Sequence, residues 1–117
     1  MQNNREKGTQ GEDLAKEYLL NQGYQILTTN FYTKKGEIDI IAKDKEYIVF
    51  IEVKYRNSTK FGYPREAVGN TKKKKILTVA NIYINNNNIK NSDFRFDVIE
   101  ILKTNDQTDI EHIKNAF

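Results

Sequence analysis

Three of the charged side chains in the most apolar stretch of this chain, GEIDIIAKDKEYIVFIEVKYR (residues 36–56), lie among its isoleucines and valines. Asp39 lies in its first half, and Glu52 and Lys54 lie in its second half. Two carboxylates held close together in a partly apolar surround repel each other and lose hydration, and a hard divalent cation relieves both costs. An ammonium group beside that cation can stabilise developing negative charge or orient an attacking water. The spacing therefore fits metal-assisted hydrolysis of a phosphodiester.

The pattern of the same stretch predicts a β-hairpin with strands at residues 36–43 and 47–56. Because side chains alternate along a strand, Glu52 and Lys54 share one face. A hairpin closed by a short turn can bring Asp39 close to Glu52, although the sequence does not set the register. The alternative is an exposed strand whose Glu and Lys are simply solvated or salt-bridged.

A third acidic residue precedes the hairpin, on a helix predicted over residues 10–22. Thr9 followed by Glu12 fits a capping box, and Gly23 fits the C-terminal stop. Glu12 lies one turn before Ala15, at the border of the apolar stripe. Its carboxylate is therefore expected to be directed toward the sheet.

The remaining pattern predicts an α/β fold with a central mixed β-sheet flanked by helices. The other predicted elements are a strand at 24–32, a helix from Arg65 or Asn70 to Asn85 and a strand at 94–102, while the tail 110–117 is too short to assign. The order is helix, three strands, helix, strand. The sheet is expected to be mixed because the hairpin is antiparallel and the last strand returns after a helix.

Composition bounds the class of protein. The 117 residues suit one domain, residues 1–117, in which 1–8 are expected to form a flexible N-terminus. No apolar run approaches the ~20 residues of a membrane helix, and the N-terminus lacks the apolar core of a secretory signal. Cysteine is absent, which excludes disulfides and thiolate metal sites. We therefore expect a cytoplasmic protein.

Positive charge is concentrated in residues 53–75, which carry eight Lys and Arg against one acid, Glu66. The segment has a net charge of +7 and the rest of the chain −4. Such asymmetry predicts a surface that attracts polyanions, and its alternative is a solvated lysine-rich face. The candidate nucleic-acid contacts are Arg56, Lys60, Arg65, Lys72 and Lys73.

Three further residues have weaker patterns. Glu37 is a further candidate ligand, or a solvated acid beside a turn. Asp97 alternates with apolar residues and is expected to pair structurally with a lysine or arginine. His112 is the only histidine, and we expect it to be solvated and without a role.

Five segments together resemble a known family: GTQGEDLAKEYLLNQGY, GEIDIIAKD, VFIEVKYR, FDVIEI and HIKNAF. The chain resembles the YraN family of uncharacterised endonuclease-like proteins, in the PD-(D/E)xK nuclease superfamily, related to archaeal Holliday-junction resolvases. The resemblance implies a restriction-endonuclease-like fold and metal-dependent cleavage of a nucleic-acid backbone. Ile38 replaces the proline of the superfamily's name, as in many of its members.

Carried over by position, the resemblance implies that Asp39 and Glu52 bind Mg²⁺, with Mn²⁺ as a substitute, and that Glu12 completes the site. Lys54 then corresponds to the catalytic lysine. We expect a metal-dependent endonuclease acting on DNA, with branched or single-stranded DNA as candidate substrates. A homodimer would suit two symmetric cuts in a four-way junction. The alternatives are a nucleic-acid-binding module of the same fold without turnover, and a scaffold without DNA affinity.

Overall fold

A computed structural model describes residues 4–56 and 70–117, and these residues form two helices and one five-stranded sheet. In chain order the elements are α1 (Asn4–Asn21), β1 (Gln25–Thr33), β2 (Gly36–Asp44), β3 (Tyr47–Arg56), α2 (Asn70–Asn86), β4 (Asp93–Thr104) and β5 (Gln107–Ile113). The strands lie side by side in sequence order. Only β3 and β4 are parallel, and the other neighbours are antiparallel. The predicted α/β fold with a mixed central sheet is confirmed.

The helix boundaries and the tail differ from the prediction. Helix α1 begins at Asn4 rather than at residue 10, so part of the predicted flexible N-terminus is helical and the Thr9 capping position lies inside the helix. Its end is as predicted, because Gly23 adopts a φ of +90° after the last turn. The unassigned tail contributes β5, which folds back through the two-residue turn Asn105 and Asp106.

The two helices cover opposite faces of the sheet and create two apolar layers. The layer beneath α1 consists of Ala15, Leu19, Tyr24, Ile40, Ala42, Val49, Ile51, Ile99 and Ile101. The layer beneath α2 consists of Ile38, Ile41, Ile48, Phe50, Ile76, Val79, Ala80 and Tyr83. Strands β2 and β3 are therefore buried on both faces, which explains their nearly continuous apolar sequence. Neither described helix is long and apolar enough to cross a membrane.

A buried ionic network joins the tail to β4. Asp97 is fully buried and accepts hydrogen bonds from Arg95, from His112 Nε2 at 2.6 Å and from the Asn115 backbone N–H at 3.1 Å. The expected structural pairing of Asp97 is thus present. The prediction that His112 is solvated is wrong, because β5 carries its side chain under Tyr18, where it is only 4% exposed.

The network makes the stability of the fold depend on the charge of Asp97. Burial alone would raise the pKa of Asp97, but the hydrogen bonds from His112, Arg95 and Asn115 outweigh burial and lower the pKa below 3.8. A carboxyl group with a lowered pKa stabilises the fold above its unfolded pKa. This stabilisation is lost as the pH falls below that value.

We expect Asp97→Asn to lower the free energy of unfolding by about 3 kcal/mol or more, because Arg95 would lose its buried counter-charge. Denaturant titration at pH 7 measures the change. Asp44→Asn is the matched control, since Asp44 accepts one hydrogen bond from the same guanidinium and is 22% exposed. Its loss should be about 1 kcal/mol. Equal losses in the two variants would show that burial of the pair does not matter.

Candidate metal centre

The pairing between β2 and β3 opens at Asp39. The last pair of the ladder is Ile40 with Ile51. One residue further, Asp39 Oδ2 accepts a hydrogen bond from the Val53 backbone N–H at 2.8 Å, so a side chain replaces the strand-to-strand bond. The carboxylate of Asp39 therefore lies in the gap between two central strands.

The direction of the side chains shifts at the same residue. Regular alternation would place Ile38 and Ile40 on one face, but Ile38 packs beneath α2 and Ile40 packs beneath α1. On the neighbouring strand β1, Asn30 lies opposite Asp39 and adopts a φ of +52°. The two residues lie between the pairs Thr29 with Ile40 and Phe31 with Ile38. Glu37 and Asp39 share a face under regular alternation, and this irregularity turns both of them to the α1 side, where Glu12 lies. The regular alternation expected of a strand therefore fails in β2 at this point.

Three carboxylates converge there. Glu12, Glu37 and Asp39 each offer an oxygen within 4.8 Å of the other two. Glu12 and Asp39 are half-buried and Glu37 is exposed, so the acidic cluster of these three residues opens to solvent on one side. Its ligands are all carboxylate oxygens, which are the donors that Mg²⁺ and Mn²⁺ prefer.

Gly11 explains how α1 delivers Glu12 to the sheet. A Cβ atom at Gly11 would lie 2.8 Å from Cβ of Tyr55 on β3, closer than real Cβ atoms approach. The missing side chain therefore lets the first half of α1 lie against β3. Glu12, the next residue, then reaches the β2–β3 opening.

The pKa values show that the acidic cluster is difficult to ionise fully. Burial, followed by the charge of Glu52, raises the pKa of Asp39 to about 7. Burial also raises the pKa of Glu12, the charge of Glu37 adds to this, and a hydrogen bond with Asn30 opposes it. A divalent cation would remove the repulsion that keeps a proton on Asp39.

Glu52 and Lys54 lie beside the acidic cluster but on the other side of the opening. Glu52 Oε1 is 2.7 Å from Nζ of Lys72 on α2, although its charge still acts on Asp39. Lys54 is half-buried, and its Cα pairs across the parallel ladder with that of buried Glu100. Of the four predicted catalytic residues, Glu12 and Asp39 are thus brought together. Glu52 is held toward α2.

The predicted basic contacts divide among several environments. Lys72 pairs with Glu52, and Nζ of Lys73 lies 5.9 Å above the ring of Phe117. Arg56 is half-buried at the end of β3. Lys60 and Arg65 lie outside the described residues.

The sequence analysis did not identify two residues that lie beside the acidic cluster. Asn30 contacts Glu12 and has a positive φ. Its residue type was the one indication of this, because asparagine tolerates a positive φ better than most residues. Tyr32 is 75% exposed and pairs with Glu37 across the β1–β2 ladder. No periodicity distinguishes an exposed tyrosine near a site from any other exposed tyrosine on an edge strand.

The raised pKa of Asp39 should make the metal-free protein less stable as the pH rises from 3.8 to about 7. In that window the folded state retains a proton that the unfolded chain has released. Asp39→Asn keeps an acceptor for the Val53 N–H but has no proton to lose. In EDTA, we expect its melting temperature to rise relative to wild type across this window.

Glu17→Gln is the control for this comparison, because Glu17 is an exposed acid on the same helix as Glu12. Its difference from wild type should not vary over the same pH range. If the difference between Asp39→Asn and wild type is equally flat, Asp39 is not held in the protonated form by its surroundings.

Comparison with known proteins places these features in a family. The family model described as "Uncharacterised protein family UPF0102" matches residues 11–101. A UPF0102 protein of Clostridioides difficile is 52% identical, over 98% of this chain and 99% of that protein. A UPF0102 protein of Caldicellulosiruptor saccharolyticus is 49% identical, over 98% of this chain and 99% of that protein. A UPF0102 protein of Persephonella marina is also 49% identical, over 95% of this chain and 92% of that protein. YraN is another designation of this family, which confirms the resemblance. The chain belongs to the UPF0102 family.

Proposed function

We propose that this protein is a metal-dependent endonuclease that hydrolyses phosphodiester bonds in DNA, with Glu12, Glu37 and Asp39 holding Mg²⁺ or Mn²⁺. The observation that carries the proposal is the convergence of three carboxylates at the opening between β2 and β3. The hydrogen bond to Val53 explains a carboxyl group at Asp39, but the approach of Glu12 and Glu37 adds charge repulsion to the burial that already raises the pKa of Asp39 and Glu12. The resemblance of GEIDIIAKD and VFIEVKYR to the PD-(D/E)xK motif supports the same conclusion.

The donor set decides which group fits the cluster. Three carboxylates with an open side suit a hard cation that keeps several water ligands, and none of the three donors is a softer imidazole. When bound, the ion supplies Lewis-acid polarisation of a phosphoryl oxygen. We assign Glu52 to the edge of this site. Its carboxylate would become a further metal ligand when its ion pair with Lys72 breaks.

Lys54 has a different role in the proposal. It follows Glu52 on the same face of β3, so its ammonium group lies toward the scissile phosphate when Glu52 borders the metal. There it would stabilise the additional negative charge of the transition state, or orient the attacking water. A cytoplasmic location, DNA as partner and a homodimer acting on branched DNA belong to the same proposal.

A second candidate is a nucleic-acid-binding module without turnover. One observation favours it: the ion pair of Glu52 with Lys72 at 2.7 Å neutralises a predicted metal ligand without any metal ion. In such a module the fold would present basic side chains to a phosphate backbone, and the pKa of Asp39, raised to about 7, would leave this residue partly protonated near neutral pH. Binding would then need no divalent metal.

A cleavage assay separates the two candidates. Single-stranded, duplex, flap and four-way-junction DNA would be incubated with the protein in Mg²⁺, Mn²⁺ or EDTA. We expect cleavage with either metal, none in EDTA, and a loss of about a hundredfold or more in Asp39→Asn and Lys54→Ala. Glu17→Gln, with its exposed acid on α1, should cleave like wild type.

Two results would contradict the endonuclease proposal. Cleavage by Asp39→Asn at the wild-type rate would show that the acidic cluster is not the site. DNA binding that is unchanged by EDTA and by Lys54→Ala, without cleavage of any substrate, would favour the binding module.

A further inference from the structure

A basic groove lies between the β1–β2 turn and the first half of α2, and none of its lining residues belongs to the acidic cluster. It is lined by Lys34, Lys35, Thr71, Lys74, Lys75 and Thr78. Two of its four lysines come from the β1–β2 turn, which lies outside the basic segment 53–75. The groove therefore joins cations that are distant in the sequence.

Packing of the turn against α2 fixes the groove. Gly36 adopts a φ of +147°, and a Cβ atom there would lie 3.4 Å from Cγ2 of Val79 and 3.9 Å from Cβ of Lys75. Thr33 Oγ1 also accepts the backbone N–H of Lys35 at 3.0 Å and donates to the Gly36 carbonyl at 3.2 Å. The turn is thus held by its own hydrogen bonds and by close contact with the helix.

The charges of this groove are not compensated within the part of the chain that the structure describes. No carboxylate lines it, and Lys34, Lys35, Lys74 and Lys75 form no ion pair with residues 4–56 or 70–117. Helix α2 has no acidic residue in its first turn, so cations there oppose the helix dipole. The groove therefore presents four exposed ammonium groups that an anion from outside the described residues can neutralise.

The four consecutive lysines of α2 also differ in what they contact. Lys72 pairs with Glu52, and Lys73 lies above the ring of Phe117. Only Lys74 and Lys75 line the groove. The run of four lysines therefore contributes only Lys74 and Lys75 to the groove, while Lys72 and Lys73 make contacts elsewhere.

We propose that this basic groove binds the phosphate backbone of a nucleic acid, as a second contact beside the acidic cluster. A run of phosphodiesters, each with one negative charge, matches four cations and two threonines spread along an open groove better than a single carboxylate does. Glu37 follows Gly36 directly, so one hairpin joins the groove to the acidic cluster. That the polyanion is nucleic acid rests on the proposed function.

Binding of a fluorescent oligonucleotide in EDTA tests the groove without cleavage. The variants are Lys34→Gln/Lys35→Gln and Lys74→Gln/Lys75→Gln. The control Lys43→Gln/Lys90→Gln removes the same charge from two exposed lysines, one near the end of β2 and one in the segment that follows α2. Between about 50 and 200 mM salt, we expect each groove variant to bind about tenfold more weakly or worse, and its salt slope to fall by about 1.4 for a single strand.

The inference is overturned if the groove variants bind like wild type, if the control loses as much affinity as they do, or if the wild-type protein binds no oligonucleotide at low salt. Binding to anionic lipid vesicles in place of oligonucleotides would also overturn it. The proposed function can fail separately. If the groove variants lose affinity in EDTA but the protein never cleaves DNA, the groove proposal is supported and the endonuclease proposal is contradicted. If the wild-type protein cleaves DNA and the groove variants bind like wild type, the endonuclease proposal is supported and the groove proposal is contradicted.

Discussion

The hydrogen bond from the Val53 backbone N–H to Asp39 Oδ2 is the contact on which the rest of this site depends. It lies where β2 and β3 separate, between two apolar layers, and a backbone donor left unpaired there would cost about 1–3 kcal/mol. A carboxylate satisfies this donor, although burial raises its own pKa to about 7. The charge that interrupts an apolar strand is thus a structural acceptor and the centre of the acidic cluster.

The two apolar layers make this opening possible. Strands β2 and β3 are covered by α1 on one face and α2 on the other, so the ends of the two strands can separate while their centres remain packed. The β3–β4 ladder continues through Arg56, past the point where the β2–β3 ladder ends. Strand β3 therefore stays paired with β4 alongside the gap. The irregular side is β1 and β2, where Asn30 and Asp39 lie.

The sequence predicted features that depend on local pattern. Strand β3 begins and ends as predicted, and Gly23 ends α1, because alternation and a glycine stop act within a few residues. The proximity of Glu12 to Asp39 came from the resemblance and from the border position of Glu12 on its helix. The ends of β3 and α1 depend on interactions between residues that are close together in the sequence.

Features that depend on packing between distant elements could not be predicted. The shift of side-chain direction at Asp39 turns Asp39 and Glu37 to the α1 side, while Glu52 remains beside Lys72 of α2, and no alternation rule contains such a shift. His112 is buried because β5 pairs with β4, and the short tail gave no reason to expect a strand. The basic groove joins a turn and a helix that only the fold brings together.

The most direct measurement is a crystal structure of the protein soaked in Mn²⁺, with anomalous scattering used to locate the ion. We predict one strong peak at about 2.0–2.2 Å from carboxylate oxygens of Glu12, Glu37 and Asp39. Asp39→Asn crystals treated in the same way should lack it. A peak on other residues, or no peak at this cluster in crystals saturated with Mn²⁺, would contradict a metal centre at the β2–β3 opening.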